Sequence, residues 1–168
     1  GILLVGLIVP FVASGFQTLE VAYALIFAMA ILGLNLLTGY SGQISLGHGA
    51  FVAIGAFTAA IAIRTFHVPY PATIPLAALV CAVVGFALGL GAGRLEGIYL
   101  GLATFAFGVA IPDLLKKQTD LTGGVKGLSL PPVTSPIGAL TDDQFFYFVC
   151  LLLALALFLL TANVLGDR

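Results

Sequence analysis

The chain has 168 residues, of which 61% are hydrophobic and 8% charged, with a net charge of −1. A soluble domain carries about 25% charged residues, and six Lys/Arg with seven Asp/Glu cannot coat a globule of this length. With a mean hydropathy of +1.19 and no basic footprint for nucleic acid, the solvent of this chain is lipid.

A helix needs about 20 apolar residues to cross roughly 30 Å of hydrocarbon. The opening run, residues 2–12, is apolar but lacks a basic n-region or a clear cleavage site, so it reads as part of a spanning helix. A full span is predicted over 19–37, entered after Ser14-Gly15-Phe16-Gln17-Thr18, with Asn35 its only strongly polar residue beyond Glu20 at its edge. The next covers 44–63, and a short loop from Arg64 to Pro71 leads to a fourth over 73–93. Arg94-Leu95-Glu96 breaks the pattern before a fifth run at 97–111, closed by Pro112-Asp113. Residues 113–143 form the longest polar stretch, with three lysines and Gly123-Gly124, and a sixth run follows at 145–162. A structureless connector of about thirty residues is unusual, so some folding or a partner is expected there.

All charged side chains fall at or outside the ends of these runs, as the free energy of a charge in hydrocarbon requires. Runs such as 148–160 are apolar on every face, which rejects the alternating pattern of a membrane β-barrel. The fold class is therefore all-α: a polytopic membrane helical bundle of about six hydrophobic helices.

No enzyme constellation is visible. His48 and His67 lack an HExxH context, no GxSxG elbow exists, and Gly123-Gly124-Val125-Lys126-Gly127 lacks P-loop spacing. No cofactor is implied, and any ATP hydrolysis would belong to another chain. Cys81 and Cys150 sit in separate apolar runs and read as small buried hydrophobes, without zinc or disulfide spacing.

The most informative stretch is 35–55, where glycines at 39, 42, 47, 49 and 55 accompany Asn35, Ser41, Gln43, Ser45 and His48. Polar groups at membrane depth need protein or water partners. A broken helix or tight turn lining a translocation path fits the pattern; so does an ordinary loop with a glycine-rich, well-packed start. His48 alone is more simply a structural hydrogen-bond donor than a substrate ligand. Gly85, Gly89, Gly93, Gly97 and Gly101 recur every fourth residue, the GxxxG spacing that lets helix backbones approach. Packing within the chain is expected ahead of dimerisation, and Gly89→Leu is expected to disrupt assembly.

The run 34–51, L-N-L-L-T-G-Y-S-G-Q-I-S-L-G-H-G-A-F, resembles the signature of LivM-type permeases, the membrane subunits of bacterial ABC importers for branched-chain amino acids. Residues 94–99, R-L-E-G-I-Y, with 104–108, T-F-A-F-G, resemble the second block of that family, and 121–128, L-T-G-G-V-K-G-L, the third. The resemblance implies a multi-pass protein of the bacterial inner membrane in a complex with a second, LivH-like permease subunit, ATP-binding subunits and a periplasmic substrate-binding protein. Residues 1–168 would be part of one transmembrane permease domain, truncated at the C-terminus and at the N-terminus. The family carries no catalytic residues; Asn35, Gln43, Ser45 and His48 are the candidates for lining the substrate path. Related permeases serve urea or short amides, and a non-transporting membrane scaffold is the rival from another class. Counted against Arg94 and Arg168 on the other side, the loop charges put Arg64, Lys116, Lys117 and Lys126 on the cytoplasmic side. The resemblance instead places Arg94 and 163–168 there and the 122–124 loop in the periplasm, and three blocks outweigh a margin of two charges.

Overall fold

The computed structural model describes residues 2–166 other than 41, 44, 93, 96, 132, 134 and 136–139. Among the described residues the chain is helical, without strands. Its elements are α1 (Ile2–Val12), α2 (Gly15–Asn35), a π-helical turn (Leu36–Tyr40), α3 (His48–Phe66), α4 (Tyr70–Ala92), α5 (Ile98–Lys117), the single turn α6 (Thr119–Thr122), a 3-10 turn (Gly124–Lys126) and α7 (Asp142–Gly166). Among the described residues, five stretches are long and apolar enough to cross a membrane: Gly15–Tyr40, His48–Phe66, Tyr70–Ala92, Ile98–Lys117 and Asp142–Asn163. The chain divides into two compact units, residues 1–33 with 132–168, and residues 34–131.

In the first unit, two helices begin earlier than their apolar runs because each starts with a capping box. Ser14 N–H donates to Gln17 Oε1 at 3.1 Å, while Gln17 N–H reaches Ser14 Oγ at 3.5 Å. Thr141 and Gln144 repeat the arrangement at 3.1 and 3.4 Å. Reciprocal bonds of this kind occupy donors that a helix start leaves free, so α2 opens at Gly15 instead of 19, and α7 at Asp142 instead of 145. Asp142 and Asp143 in the first turn of α7 suit its positive dipole end.

The core of this unit is Ala22, Tyr147 and Cys150, packed round by Val21, Leu25, Phe148 and neighbours. Pro10 lies inside α1 and has no N–H, so the carbonyl of Gly6 loses its helical donor. The buried Tyr147 hydroxyl donates to that carbonyl at 2.8 Å. Gln144 Nε2 donates to the Pro10 carbonyl, near the C-terminal end of α1, at 2.8 Å. One face of α7 thus completes the backbone of α1, and Phe11 rests on Phe148 with ring centroids 6.0 Å apart.

In the second unit α3 packs against both α4 and α5. The Phe51 ring lies over Gly85, where an added Cβ would stand 3.5 Å from it, and the Cys81 thiol donates to the Phe51 carbonyl. Phe51 also meets Phe107 of α5 at 5.4 Å between centroids. The expected glycine row is divided among elements. Gly85 and Gly89 lie on α4, Gly97 precedes α5 with φ +57°, Gly101 is buried on α5, and Gly93 falls outside the described residues. An added Cβ at Gly89 would meet nothing within 4 Å, so within this chain Gly85 makes the close approach and Gly89 does not.

Pro112 does not close the fifth run: α5 continues through it to Lys117. A membrane helix tolerates the missing N–H where its neighbours supply substitutes. The connector expected over 113–143 is accordingly shorter. After Lys117 the chain folds back, and the buried Thr122 hydroxyl donates towards the carbonyls of Leu115 and Gln118, at 2.6 and 2.8 Å, capping the end of α5. Gly123, Gly124 and Gly127 all have positive φ there, and a Cβ at Gly123 would fall 2.2 Å from the Gly127 carbonyl oxygen. Tyr70, at the start of α4, donates its hydroxyl hydrogen to the Pro131 carbonyl and holds the end of this segment.

Candidate functional site

The polar stretch picked out by the sequence is also where regular structure stops. After Asn35 the helix widens into the π turn Leu36–Tyr40. Such turns add a residue to the helical circuit and occur often at functional sites. Thr38 Oγ1 donates back to the Leu34 carbonyl at 2.9 Å, a side-chain bond that competes with the helical ladder. Gln43 N–H reaches the Leu37 carbonyl at 3.4 Å, and Gly42 takes φ +62°, a conformation glycine adopts without steric penalty.

The predicted helix at 44–63 starts at His48 instead, four residues late, because residues 45–47 lie against α5 in irregular backbone that bends at Leu46. Leu46 N–H donates to Thr104 Oγ1 at 3.0 Å, and that hydroxyl donates to the Gly101 carbonyl at 3.0 Å. A Cβ on Gly47 would stand 2.6 Å from the Thr104 carbonyl oxygen; one on Gly108 would stand 3.0 Å from the Leu46 carbonyl oxygen. Gly101, Thr104 and Gly108, spaced i, i+3 and i+7, make one small-residue face of α5. The irregular backbone is seated on it. Gly47 then opens α3 without a side-chain cap, and its carbonyl accepts the Ala50 N–H at 3.0 Å.

The candidate side chains sit on and around this seat. Asn35 and Gln43 are exposed, Ser45 and His48 half-buried. None of the four side chains has a hydrogen-bond partner among the described residues. The backbone around Gln43, Ser45 and His48 is held while their polar ends remain available, whereas Asn35 stands one helical turn before Gly39, its Oδ1 3.5 Å from where a Cβ there would be. Ser41, between them, falls outside the described residues. No group of three or more His, Cys, Asp or Glu side chains is placed to hold a metal among the described residues.

Composition and charge spacing alone do not reveal Thr104, Gly108 or the seating role of Gly47. The available signal was the small-residue period Gly101–Thr104–Gly108, and it shows only that a close approach is possible, not what approaches.

A profile of the family described as branched-chain amino acid transport system / permease component matches residues 18–166. The chain belongs to that family. It is 38% identical over 129 residues to the high-affinity branched-chain amino acid transport system permease protein LivM of Salmonella typhimurium. It is also 38% identical over 130 residues to the protein of the same name from Escherichia coli. Each match covers 77% of this chain and 30% of the relative, so the chain spans less than a third of the length of these curated proteins. No solved structure shows significant similarity. With five apolar helices of spanning length, this permease-family chain is a multi-pass protein of the bacterial inner membrane. Of the stretches that carry the resemblance, residues 45–47 are seated on the α5 face that includes Thr104 and Gly108, and residues 122–127 form the turn that caps α5.

Proposed function

We propose that the chain forms part of the translocation path of an ABC importer for branched-chain amino acids, with Asn35, Gln43, Ser45 and His48 on that path. The observation that carries this reading is that the side chains of Gln43, Ser45 and His48 are unpaired among the described residues, on a stretch held on α5 at Leu46 and lying in sequence between two apolar helices of spanning length. Discontinuous helical elements with irregular backbone are a recurrent way to build substrate sites in transporters, because such backbone at membrane depth must line protein or water. A zwitterion with an apolar side chain suits a mostly apolar lining carrying a few polar groups.

The function needs partners: a second, LivH-like permease subunit, ATP-binding subunits and a periplasmic substrate-binding protein. Arg94 and the end of α7 lie on the cytoplasmic side in this reading, and the 122–124 turn faces the periplasm. The test is aqueous thiol labelling of single cysteines at Gln43, Ser45 and His48 in the assembled importer, with Cys81 and Cys150 replaced. Labelling should change when substrate, binding protein and ATP are supplied together. Constant, full labelling at all three positions would withdraw them from the path.

A further inference from the structure

Among the described residues, the segment that presents Gln43, Ser45 and His48 has a single hydrogen-bonded tether to another helix. Among the described residues, the one hydrogen bond from 42–47 to a residue distant in sequence is Leu46 N–H to Thr104 Oγ1. The other contacts with α5 shown at the glycines are close approaches at Gly47, where the Thr104 carbonyl and the Phe107 ring come near, and at Gly108; none of them is a hydrogen bond. The start of α3 has no side-chain cap, and the Phe51 ring packed on Phe107 fixes the first turn of the helix by apolar contact without directing the backbone of 45–47. We infer that Thr104 is the positioning residue of the polar segment: its hydroxyl sets where the segment sits on α5, and through it where Ser45 and His48 point.

The chemistry fits one group. Thr104 is almost fully buried, with 6% of its surface exposed, so water is a poor substitute as acceptor for the Leu46 N–H. A hydroxyl is both donor and acceptor, and this one uses both capacities, accepting from Leu46 and donating to the Gly101 carbonyl. The β-branch restricts its rotamers on the helix, and the bond to a carbonyl three residues back selects one of the two that threonine favours. Its lone pair is thereby aimed outward at the segment. Valine has nearly the same shape and can do neither, leaving a backbone N–H unsatisfied at a buried contact. Serine keeps both bonds. Gly47 and Gly108 supply the clearance, because a methyl group at either would push the segment off α5 before the bond could form.

This inference rests on the proposed path only for its functional consequence; the geometry itself is independent of transport. The experiment therefore has two arms, both in the full-length assembled importer lacking Cys81 and Cys150. In membranes without substrate or ATP, Ser45→Cys is labelled from water in Thr104→Val and Thr104→Ser backgrounds. The labelling rate should change at least threefold with valine and return to the parental value with serine, while a His67→Cys control on the exposed end of α3 stays constant. In the second arm, without the Ser45→Cys change, uptake is compared at equal membrane abundance. Valine should shift the substrate concentration for half-maximal uptake severalfold, and serine should restore it. If the valine variant fails to accumulate, Thr104→Ala carries the same comparison.

Equal Ser45→Cys labelling in all backgrounds would overturn the positioning role, whatever uptake does. A labelling change reversed by serine, with uptake unaffected, would keep the positioning role and reject the path assignment of the segment instead.

Discussion

At the residue scale, several side chains matter because they complete a backbone that would otherwise be left unpaired in lipid. Tyr147 is the clearest case. Pro10 frees the Gly6 carbonyl, and a phenol from α7 occupies it at 2.8 Å. Removing the hydroxyl while keeping the ring leaves that carbonyl buried and unpaired. Interhelical hydrogen bonds in membranes average about 0.6 kcal/mol, with a range reaching about 2, so Tyr147→Phe should destabilise the protein by about 1 kcal/mol. The check is reversible unfolding in mixed detergent; an unchanged midpoint and slope would mean that the carbonyl finds another donor. Thr122 plays the corresponding part at the end of α5, and Thr104 does so for the backbone of 45–47. Tyr147, Thr122 and Thr104 thus act on backbone carbonyls and amides, which is why none of them stands out as a site residue when the sequence is read by charge.

At the element scale, α4 and α5 each divide into an occupied and an open face. On α4, Gly85 accepts the Phe51 ring, whereas Leu79, Val83, Phe86 and Leu90 are exposed. On α5, Gly101, Thr104 and Gly108 receive the segment before α3, and the opposite face, including Leu102, Ala106 and Val109, lines a shallow apolar groove. Gly85→Leu should force α3 and α4 apart and lower the thermal midpoint of the purified chain, without partner subunits, by several degrees. Gly89→Leu, with nothing within 4 Å of an added Cβ, should leave that midpoint unchanged. Circular-dichroism melts of the two variants in the same detergent test the contrast. Equal losses would show that the α3–α4 approach does not depend on Gly85 in the way the geometry indicates.

The helix boundaries are best understood at this scale too. Apolar runs predicted helices at 19–37, 44–63, 73–93, 97–111 and 145–162, and each has a helical counterpart. Their ends moved for identifiable local reasons. Capping boxes at Ser14 and Thr141 extended α2 and α7 backwards, the seat on α5 delayed α3 to His48, and α5 passed through Pro112. Hydropathy reports which residues prefer lipid, whereas caps and tertiary contacts decide where the hydrogen-bonded ladder starts and stops.

At the scale of the whole molecule, the chain is a helical member of a permease family, and its sequence contains no GxxxxGKS or GxxxxGKT spacing. Gly123-Gly124-Val125-Lys126-Gly127, the one sequence with a phosphate-loop flavour, is a tight turn. The Gly124 N–H bonds to Thr122 Oγ1 at 3.3 Å and the Gly127 N–H to the Gly124 carbonyl at 3.3 Å. Amides already committed in this way cannot cradle a phosphate. The purified chain should therefore release no phosphate from ATP above a detergent blank, and hydrolysis should appear only when ATP-binding subunits are added. Turnover by the chain alone, persisting through a second purification step, would contradict the subunit reading.

The sequence by itself determined the solvent, the all-α class and the approximate place of every span, because burial in lipid is a property of composition along the chain. It also marked the region 35–48 as chemically unusual, since polar and glycine residues there interrupt apolar runs. It did not reveal that the segment rests on Gly101, Thr104 and Gly108, because a contact across 58 positions leaves no local pattern at either end. Nor could it show that Tyr147 serves a carbonyl 141 residues away. Those pairings exist only once the helices have packed and each unpaired backbone group has to find its donor within reach.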